Sequence, residues 1–372
     1  MRLEEICTVF TDGDWIESKD QSDDGIRLIQ TGNIGEGIYL EKEARAKYIS
    51  EEIFGKLKCT EIFPGDILVS RLPDPVGRAC IIPEKEERMI TAVDCTICRP
   101  NESIISKEYL CYFMRSSAYY KKLLGSVTGT TRKRISRKNL GNVELEVPSK
   151  ERQMDVVEQL DCLVKVIESR KQELQLLDTL IKARFVEMFG DENNSLNWDM
   201  VNVEDVADVQ VGVVIKPSQY YTGKKDGIPA FRSLNIGEGF IKNMDWVYFS
   251  QEGNDKNSKS ILKENDLLIV RSGAPGTACV VTKEFEGYNA IDIIIAHPDC
   301  SKVNPYYLCT YTNMPHGKKQ IQEGTGGAAQ QHFNVGKYNK LKLMLPPVEL
   351  QNEFVGFIKQ VDKSKVVVAS VK

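Results

Sequence analysis

Two textures of apolar and polar residues alternate along the chain. Across 25–145 and again across 227–345, apolar residues come in short runs broken by Gly, Pro and Asp. Ile67-Leu-Val-Ser70 and Leu267-Leu-Ile-Val270 follow such breaks and predict buried strands entered from turns. Val143-Glu-Leu-Glu-Val147 and Leu341-Lys-Leu-Met-Leu345 alternate apolar and polar, which predicts amphipathic strands. The stretches from Ser106 and Val303 predict short helices. The second texture is helical. Val156, Leu160, Leu163, Ile167, Arg170, Leu174, Leu177, Ile181, Arg184 and Met188 step by alternating four and three, and only the two arginines break the apolar stripe. That is a coiled-coil seam, bounded by Pro148-Ser149 and Gly190, about 55–60 Å long at 1.5 Å per residue. Phe354, Ile358, Val361, Lys365 and Val368 repeat the register near Lys372.

The chain is written twice. Gly25-Ile-Arg-Leu-Ile-Gln-Thr-Gly-Asn-Ile-Gly-Glu-Gly37 answers Gly227-Ile-Pro-Ala-Phe-Arg-Ser-Leu-Asn-Ile-Gly-Glu-Gly239. Asp66-Ile-Leu-Val-Ser-Arg71 answers Asp266-Leu-Leu-Ile-Val-Arg271, and Gly77-Arg-Ala-Cys80 answers Gly276-Thr-Ala-Cys279. The matches continue in order through Ala92-Val-Asp94 and Ala290-Ile-Asp292, Tyr109-Leu-Cys111 and Tyr307-Leu-Cys309, and Glu151-Arg-Gln153 and Glu349-Leu-Gln351. A period this long is a domain plus a connector, not a solenoid unit. The expected fold class is therefore mixed α/β (α+β): two similar domains, separated by long antiparallel coiled-coil helices. A pseudo-two-fold arrangement is expected, with tandem halves as the alternative.

Composition narrows the function. The 372 residues suit about two domains, and 41% hydrophobic with 27% charged residues is a globular balance. The formal charge of −4 excludes a wholly basic nucleic-acid coat but leaves room for local basic surfaces. No apolar run reaches the roughly 18 residues of a membrane span, and Met1-Arg2-Leu3-Glu4-Glu5 lacks the apolar core of a signal peptide. Ten scattered cysteines fit a reducing compartment. The expected setting is cytoplasmic and prokaryotic, with no membrane partner.

Residues 120–139 hold seven basic side chains and no acidic one: Lys121, Lys122, Arg132, Lys133, Arg134, Arg137 and Lys138. Such a loop neutralises phosphates while Arg and Lys reach base edges; a solvated charge run is the plain alternative. The matching stretch of the second copy carries Lys318, Lys319, Gln330 and Gln331, and Gln is suited to adenine as Lys is to guanine. The frame repeats while the loop chemistry differs, as expected of two modules reading different bases and also of any diverged duplication. Arg71 and Arg271 end matched strands, where contact with phosphate and closure of the strand end by an ion pair or backbone bond are both open.

Catalytic signals fail. Cys95-Thr-Ile-Cys98 has no second pair at zinc spacing, and on a strand its thiols face opposite ways. Asn33-Ile-Gly-Glu-Gly37 and its twin lack phosphate-loop context, and Asn304-Pro-Tyr-Tyr307 falls at a helix start. Three histidines, His297, His316 and His332, make a histidine-rich metal site unlikely to form.

On these elements the chain resembles the specificity subunits of type I restriction-modification systems. The marks are Gly25-Ile-Arg with Asn33-Ile34, the strand segments at 65–71 and 265–271, and Gly129-Thr-Thr-Arg-Lys-Arg-Ile-Ser-Arg-Lys-Asn-Leu140. Pro148 before Glu151-Arg-Gln153, Pro346-Pro-Val-Glu-Leu-Gln351 and Ala183-Arg-Phe-Val-Glu-Met-Phe-Gly-Asp191 complete them. The resemblance implies target-recognition domains at 1–147 and 191–345, a spacer helix at 148–190 and a short second helix at 346–372. It implies double-stranded DNA as ligand, each domain reading half of a split target, and two methyltransferase subunits and restriction/translocase subunits as partners. The subunit itself is expected to catalyse nothing and to bind no cofactor directly; S-adenosylmethionine, ATP and Mg2+ belong to the partners. A methylation-only or type II-like system, and a coiled-coil scaffold without DNA binding, remain alternatives. The short second helix is expected to leave Leu174, Leu177 and Ile181 to partial pairing or to a partner's cover.

Overall fold

The computed structural model describes residues 1–125, 133–324 and 333–370. It forms two compact units, Met1–Ile167 and Glu168–Lys372. The first holds β1 (Cys7–Asp12), β2 (Ile26–Ile29), β3 (Tyr48–Ile49), α1 (Glu51–Leu57), β4 (Glu61–Ile62), β5 (Ile67–Ser70) and β6 (Ala79–Ile81). There follow β7 (Met89–Thr91), β8 (Cys95–Pro100), α2 (Lys107–Met114), α3 (Ser117–Leu124) and α4 (Arg137–Gly141). The helix α5 (Lys150–Phe189) begins in the first unit and ends in the second. The second then repeats the plan: β9 (Met200–Asn202), β10 (Ala207–Val211), β11 (Ile228–Phe231), β12 (Val247–Phe249), α6 (Gln251–Lys256), β13 (Leu267–Val270) and β14 (Ala278–Val280). It closes with β15 (Asn289–Ala290), β16 (Ile293–Pro298), α7 (Pro305–Asn313), α8 (Pro315–Gly324), α9 (Val335–Asn339), β17 (Lys342–Met344) and α10 (Val348–Ser370).

The repeat in sequence is a repeat in topology. An antiparallel sheet of order β1-β8-β5-β6 in the first unit answers β10-β16-β13-β14 in the second. Beside each lies a mixed sheet, β3-β2-β7-β4 or β12-β11-β15, with one parallel pair, β2 with β7 or β11 with β15. Both predicted central strands are buried along their whole length. Ile67 and Val69 pack with the helices, while Leu68 faces the mixed sheet; Leu267 and Ile269 divide from Leu268 and Val270 in the same way. A strand covered on both faces has no polar face to show, hence the unbroken apolar run. Cys95 and Cys98 obey the same alternation, each thiol lying in a different core, and all ten cysteines are free.

Each copy of the fold ends where it began. Lys342–Met344 pairs antiparallel with Met200–Asn202. In the first unit the alternation at Val143–Val147 is real, with Val143 and Leu145 buried and Glu144 and Glu146 exposed. It makes only a single bridge, Arg2 to Glu144, and not the predicted strand, with Leu145 and Met1 bonded to each other beside it.

The helices join their domains through a buried amide. Gln153 accepts from Ser106 N (2.9 Å) and donates to the carbonyls of Ile104 and Pro148 (both 2.9 Å). Gln351 accepts from Asn304 N (2.8 Å) and donates to the carbonyls of Pro346 (2.8 Å) and Lys302 (3.3 Å). Both residues are fully buried, and both come from the repeated Glu-x-Gln.

Within the second unit α10 runs antiparallel to the end of α5. Phe354 and Ile358 share a core with Phe185 and Phe189, Arg184 meets Glu353 (3.3 Å), and Lys365 meets Asp178 (2.8 Å). This corrects the expectation for the seam. Leu174, Leu177 and Ile181 are half-buried, whereas Leu163 and Ile167 are 57% and 53% exposed. In antiparallel pairing the start of the second helix lies beside the end of the first. Pairing within the second unit therefore reaches the late seam, where Leu174, Leu177 and Ile181 lie. Val156 and Leu160 are half-buried, and Val361 is buried.

The exit from α5 is locked by Gly190, at φ +88°, whose carbonyl accepts from His316 Nε2 (3.1 Å). The Trp198 indole donates to Phe189 O (3.0 Å) on the same turn. His316 is buried against Phe185 and Tyr311, and its Nδ1 has no partner. Burial holds its pKa below the ordinary value, opposed by the Gly190 carbonyl and the charges of Glu192 and Asp191.

Two outcomes follow. Gln153→Ala or Gln351→Ala strands several buried backbone groups and should lower the unfolding free energy by about 2–4 kcal/mol in a urea titration. For His316 the unfolded chain binds the proton more tightly than the folded one. Stability of the second unit, followed by Trp198 fluorescence, should therefore fall as pH drops below about 6.5. His316→Asn should flatten that dependence.

Candidate nucleic-acid interface

At one end of each antiparallel sheet the central strand delivers an arginine. Arg71 is buried; its Nη2 donates to Val93 O (2.5 Å) and lies 3.3 Å from Asp12. Burial holds its pKa below the usual guanidinium value, with Asp12 opposing. Arg271 pairs with Asp292 and donates from Nε to Phe333 O (3.2 Å). The backbone carbonyls of these arginines accept from Ile135 N (3.2 Å) and Phe333 N (3.0 Å). The strand ends thus anchor the chain as it leaves the two loops singled out by sequence. Of the two roles left open for Arg71 and Arg271, the observed bonds are those of strand-end closure.

In the first unit the same edge gathers Arg134, 2.9 Å from Asp94, and Arg137, which reaches Asp12 (3.9 Å) and Thr11 Oγ1 (3.5 Å). Lys133 and Lys138 are exposed beside them in sequence. Lys121 and Lys122 are exposed on α3, where Lys122 donates to Glu144 O (2.6 Å). The helix α3 is tied to the loop after Arg71 by Tyr119, whose hydroxyl donates to Gly77 O (3.0 Å). In the second unit Lys318 pairs with Glu238, and Lys319 is exposed on α8. Arg132, Gln330, Gln331 and His332 lie outside the described residues.

The glycine motif proves structural. Asn33 accepts from Gln30 N (3.0 Å) and donates to Leu40 O (3.0 Å); Asn235 accepts from Arg232 N (2.9 Å) and donates to Met244 O (2.6 Å). Gly37 and Gly239, at φ +85° and +81°, donate to Ala79 O and Ala278 O, tying this hairpin to the antiparallel sheet.

Sequence reasoning missed Asp12, Asp94 and Asp292 as anchors. The matched Ala-x-Asp at 92–94 and 290–292 was the available signal. It also missed Trp15, Val214 and Ile215, which lie exposed on the first segment leaving this edge. Among the described residues no group of three or more His, Cys, Asp or Glu side chains is placed to hold a metal ion. Nor is any described helix long and apolar enough to cross a membrane.

The family described as "Type I restriction modification DNA specificity domain" matches residues 1–179 and 195–367. The chain belongs to this family. It is 21% identical over 280 residues to the StySPI specificity subunit of Salmonella potsdam, covering 72% of this chain and 60% of that protein. It is 21% identical over 286 residues to the EcoKI specificity subunit of Escherichia coli, with the same coverage. The chain thus spans about 60% of the length of these curated relatives. A chain from a structure reported as "Structural basis underlying complex assembly and conformational transition of the type I R-M system" superposes with a TM-score of 0.61 at 18% identity. That match covers 100% of this chain and 92% of the other. The S subunit from M. genitalium gives 0.52 at 12% identity, covering 100% and 90%. These likenesses confirm the specificity-domain fold.

Removing Arg71 leaves Asp12 short of its buried partner and the Val93 carbonyl short of a donor. Arg71→Ala should cost on the order of 3 kcal/mol in denaturant unfolding. Arg71→Lys should recover only part, since one ammonium cannot reproduce the guanidinium fork.

Proposed function

We propose that the protein is the DNA-reading subunit of a type I restriction-modification assembly, its two recognition domains each addressing one half of a bipartite duplex target. The observation that carries this is the repeated sheet edge: one backbone frame in both units, with different side chains mounted on it. Any diverged duplication would also keep a frame and vary its edge, so the membership in the DNA specificity family is what favours the reading role over a scaffold. The division into recognition domains at 1–147 and 191–345 and helices at 148–190 and 346–372 belongs to the same reading. So does docking of two methyltransferase subunits on the helical frame, with restriction/translocase subunits joining them. Adenine methylation from S-adenosylmethionine and ATP- and Mg2+-dependent cleavage are then the partners' chemistry, in the cytoplasm of a prokaryotic cell.

Basic side chains of the first edge supply the backbone term. On this reading the exposed Lys121, Lys133 and Lys138 meet phosphates, and Arg134, paired with Asp94, would join them by exchanging that partner. Arg132, Gln330 and Gln331, outside the described residues, remain candidates for base contact on the same reading.

Co-expression with the methyltransferase subunit and mapping of methylated adenines tests the proposal. A split motif with a fixed gap is the expected outcome; random or absent methylation with an active methyltransferase overturns it. Lys133→Ala with Lys138→Ala should weaken target and scrambled duplexes alike and lower the salt slope by about one per phosphate contact removed. Titration over a range of salt reads this directly.

A further inference from the structure

After β1 and after β10 the chain makes the same departure. Gly13 N donates to Cys95 O (2.9 Å) and Asp14 N to Thr91 O (2.9 Å), while Val93 N donates back to Asp14 O (2.9 Å). Gly212 N donates to Ile293 O (2.9 Å) and Val213 N to Ala290 O (2.8 Å), while Asp292 N donates back to Val213 O (3.1 Å). A Cβ on Gly13 would lie 2.3 Å from Thr91 O, and one on Gly212 would lie 2.3 Å from Ala290 O, so only glycine lets the backbones approach this closely. The frame therefore fixes what comes next. In the first unit that is Trp15, 70% exposed; in the second it is Val214 and Ile215, 48% and 80% exposed.

Large apolar side chains held into water by a rigid, repeated frame need a reason. The neighbours supply one. Val93, bonded to Asp14, also accepts from Arg71, and the next residue, Asp94, pairs with Arg134. In the second unit Asp292, bonded to Val213, pairs with Arg271. The exposed apolar groups thus leave from the edge at which Arg71, Arg134 and Arg271 are paired with Asp12, Asp94 and Asp292, and the Trp15 indole donates to Glu17 (3.3 Å) with its ring face open to water. On an edge that reads DNA, an exposed apolar face matches the stacked bases and their methyl groups.

We infer that Trp15, and Val214 with Ile215 at the equivalent position, are specificity-determining residues that contact bases of duplex DNA. The indole offers a flat face to a base step, and the β-branched pair offers methyl groups to a thymine 5-methyl. This rests on the DNA-reading role proposed above and assigns to each domain its own apolar reader.

The test uses the full chain with its methyltransferase subunit and the target read from mapped methylation. Binding is measured on target and scrambled duplexes across a range of salt. Trp15→Ala should lose about tenfold or more on the target, the scale of one mismatched base pair. Scrambled-duplex affinity and salt slope should stay unchanged, since no phosphate contact is removed. Trp15→Phe, which keeps a ring, should recover most of the loss. For the second unit, thymine-to-uracil scanning should find a position where wild type loses affinity and Val214→Ala with Ile215→Ala does not respond. Unchanged target-to-scrambled ratios in both variants overturn the inference. So does an equal loss on both duplexes by a variant whose thermal midpoint matches wild type. A wild type that does not prefer target over scrambled DNA instead overturns the DNA-reading role itself.

Discussion

Each recognition fold depends on a central strand that has no face toward water. Ile67–Ser70 and Leu267–Val270 are covered by helices on one side and by a second sheet on the other. Double burial fixes register, because a slip of one residue exchanges the side chains meant for the two cores. It also fixes where the strand stops. Arg71 and Arg271 directly follow the two strands, and their long stems carry charge to the edge while their backbone carbonyls hold Ile135 and Phe333. The edge is thus organised from the core outward, and loops beyond it are free to differ in composition without disturbing what supports them.

The two copies show how far that freedom extends. At the other end of the central strand, Asp66 is held by a bidentate Arg99 (2.7 and 2.8 Å), whereas Asp266 accepts from His297 Nδ1 (2.5 Å). Both aspartates also cap the turn that starts the strand, accepting from Phe63 N (2.9 Å) and Lys263 N (2.7 Å). The turn is kept and the partner of the aspartate is exchanged. The cores beside the mixed sheets diverge similarly: Ile29, Ile62 and Met89 in one, and in the other an aromatic group of Phe231, Trp246, Phe285 and Tyr288, with Phe231 and Trp246 edge to face at 4.8 Å. Volume and apolarity are what a core demands; the shape of its parts is negotiable.

What was legible in the sequence follows from this division. The repeat, the central strands, the capped helix starts and the long helix could all be read, because burial on a fixed face imposes a period. Asn304 does stand at the start of α7 as the sequence predicted, and the structure adds that it caps the helix, accepting from Tyr306 N (2.9 Å). Glu-x-Gln could be matched between copies, but nothing in a glutamine announces that it will be buried with each amide group bonded to backbone. The edge was half legible. Basic residues drew attention by number, yet whether an arginine faces DNA or its own domain depends on an aspartate far away in sequence, as with Arg71 and Asp12. Trp15 was invisible for the opposite reason: an isolated tryptophan reads as core, and only the glycine before it and the backbone bonds around it turn it outward.

The long helix obeys a different constraint. A hydrogen-bonded helix gains little in water beyond what packing adds, so its stability must come from the parts that touch something. In α5 those are the ends. Gln153 pins the first turn to the domain before it, and Phe185 and Phe189 sink the last turns into the core of the domain after it, where Phe354 also lies. Lys365, occupying a seam position of α10, meets Asp178 from α5, and a charge at such a position resists any register that would bury it unpaired. Between the anchors, Leu163, Val166 and Ile167 are exposed and the ion pair of Arg170 with Glu173 (2.6 Å) is local. Neither adds much on its own. What holds α5 among the described residues is therefore its two ends, the glutamine in one unit and the phenylalanines in the other, and not the exposed seam between them.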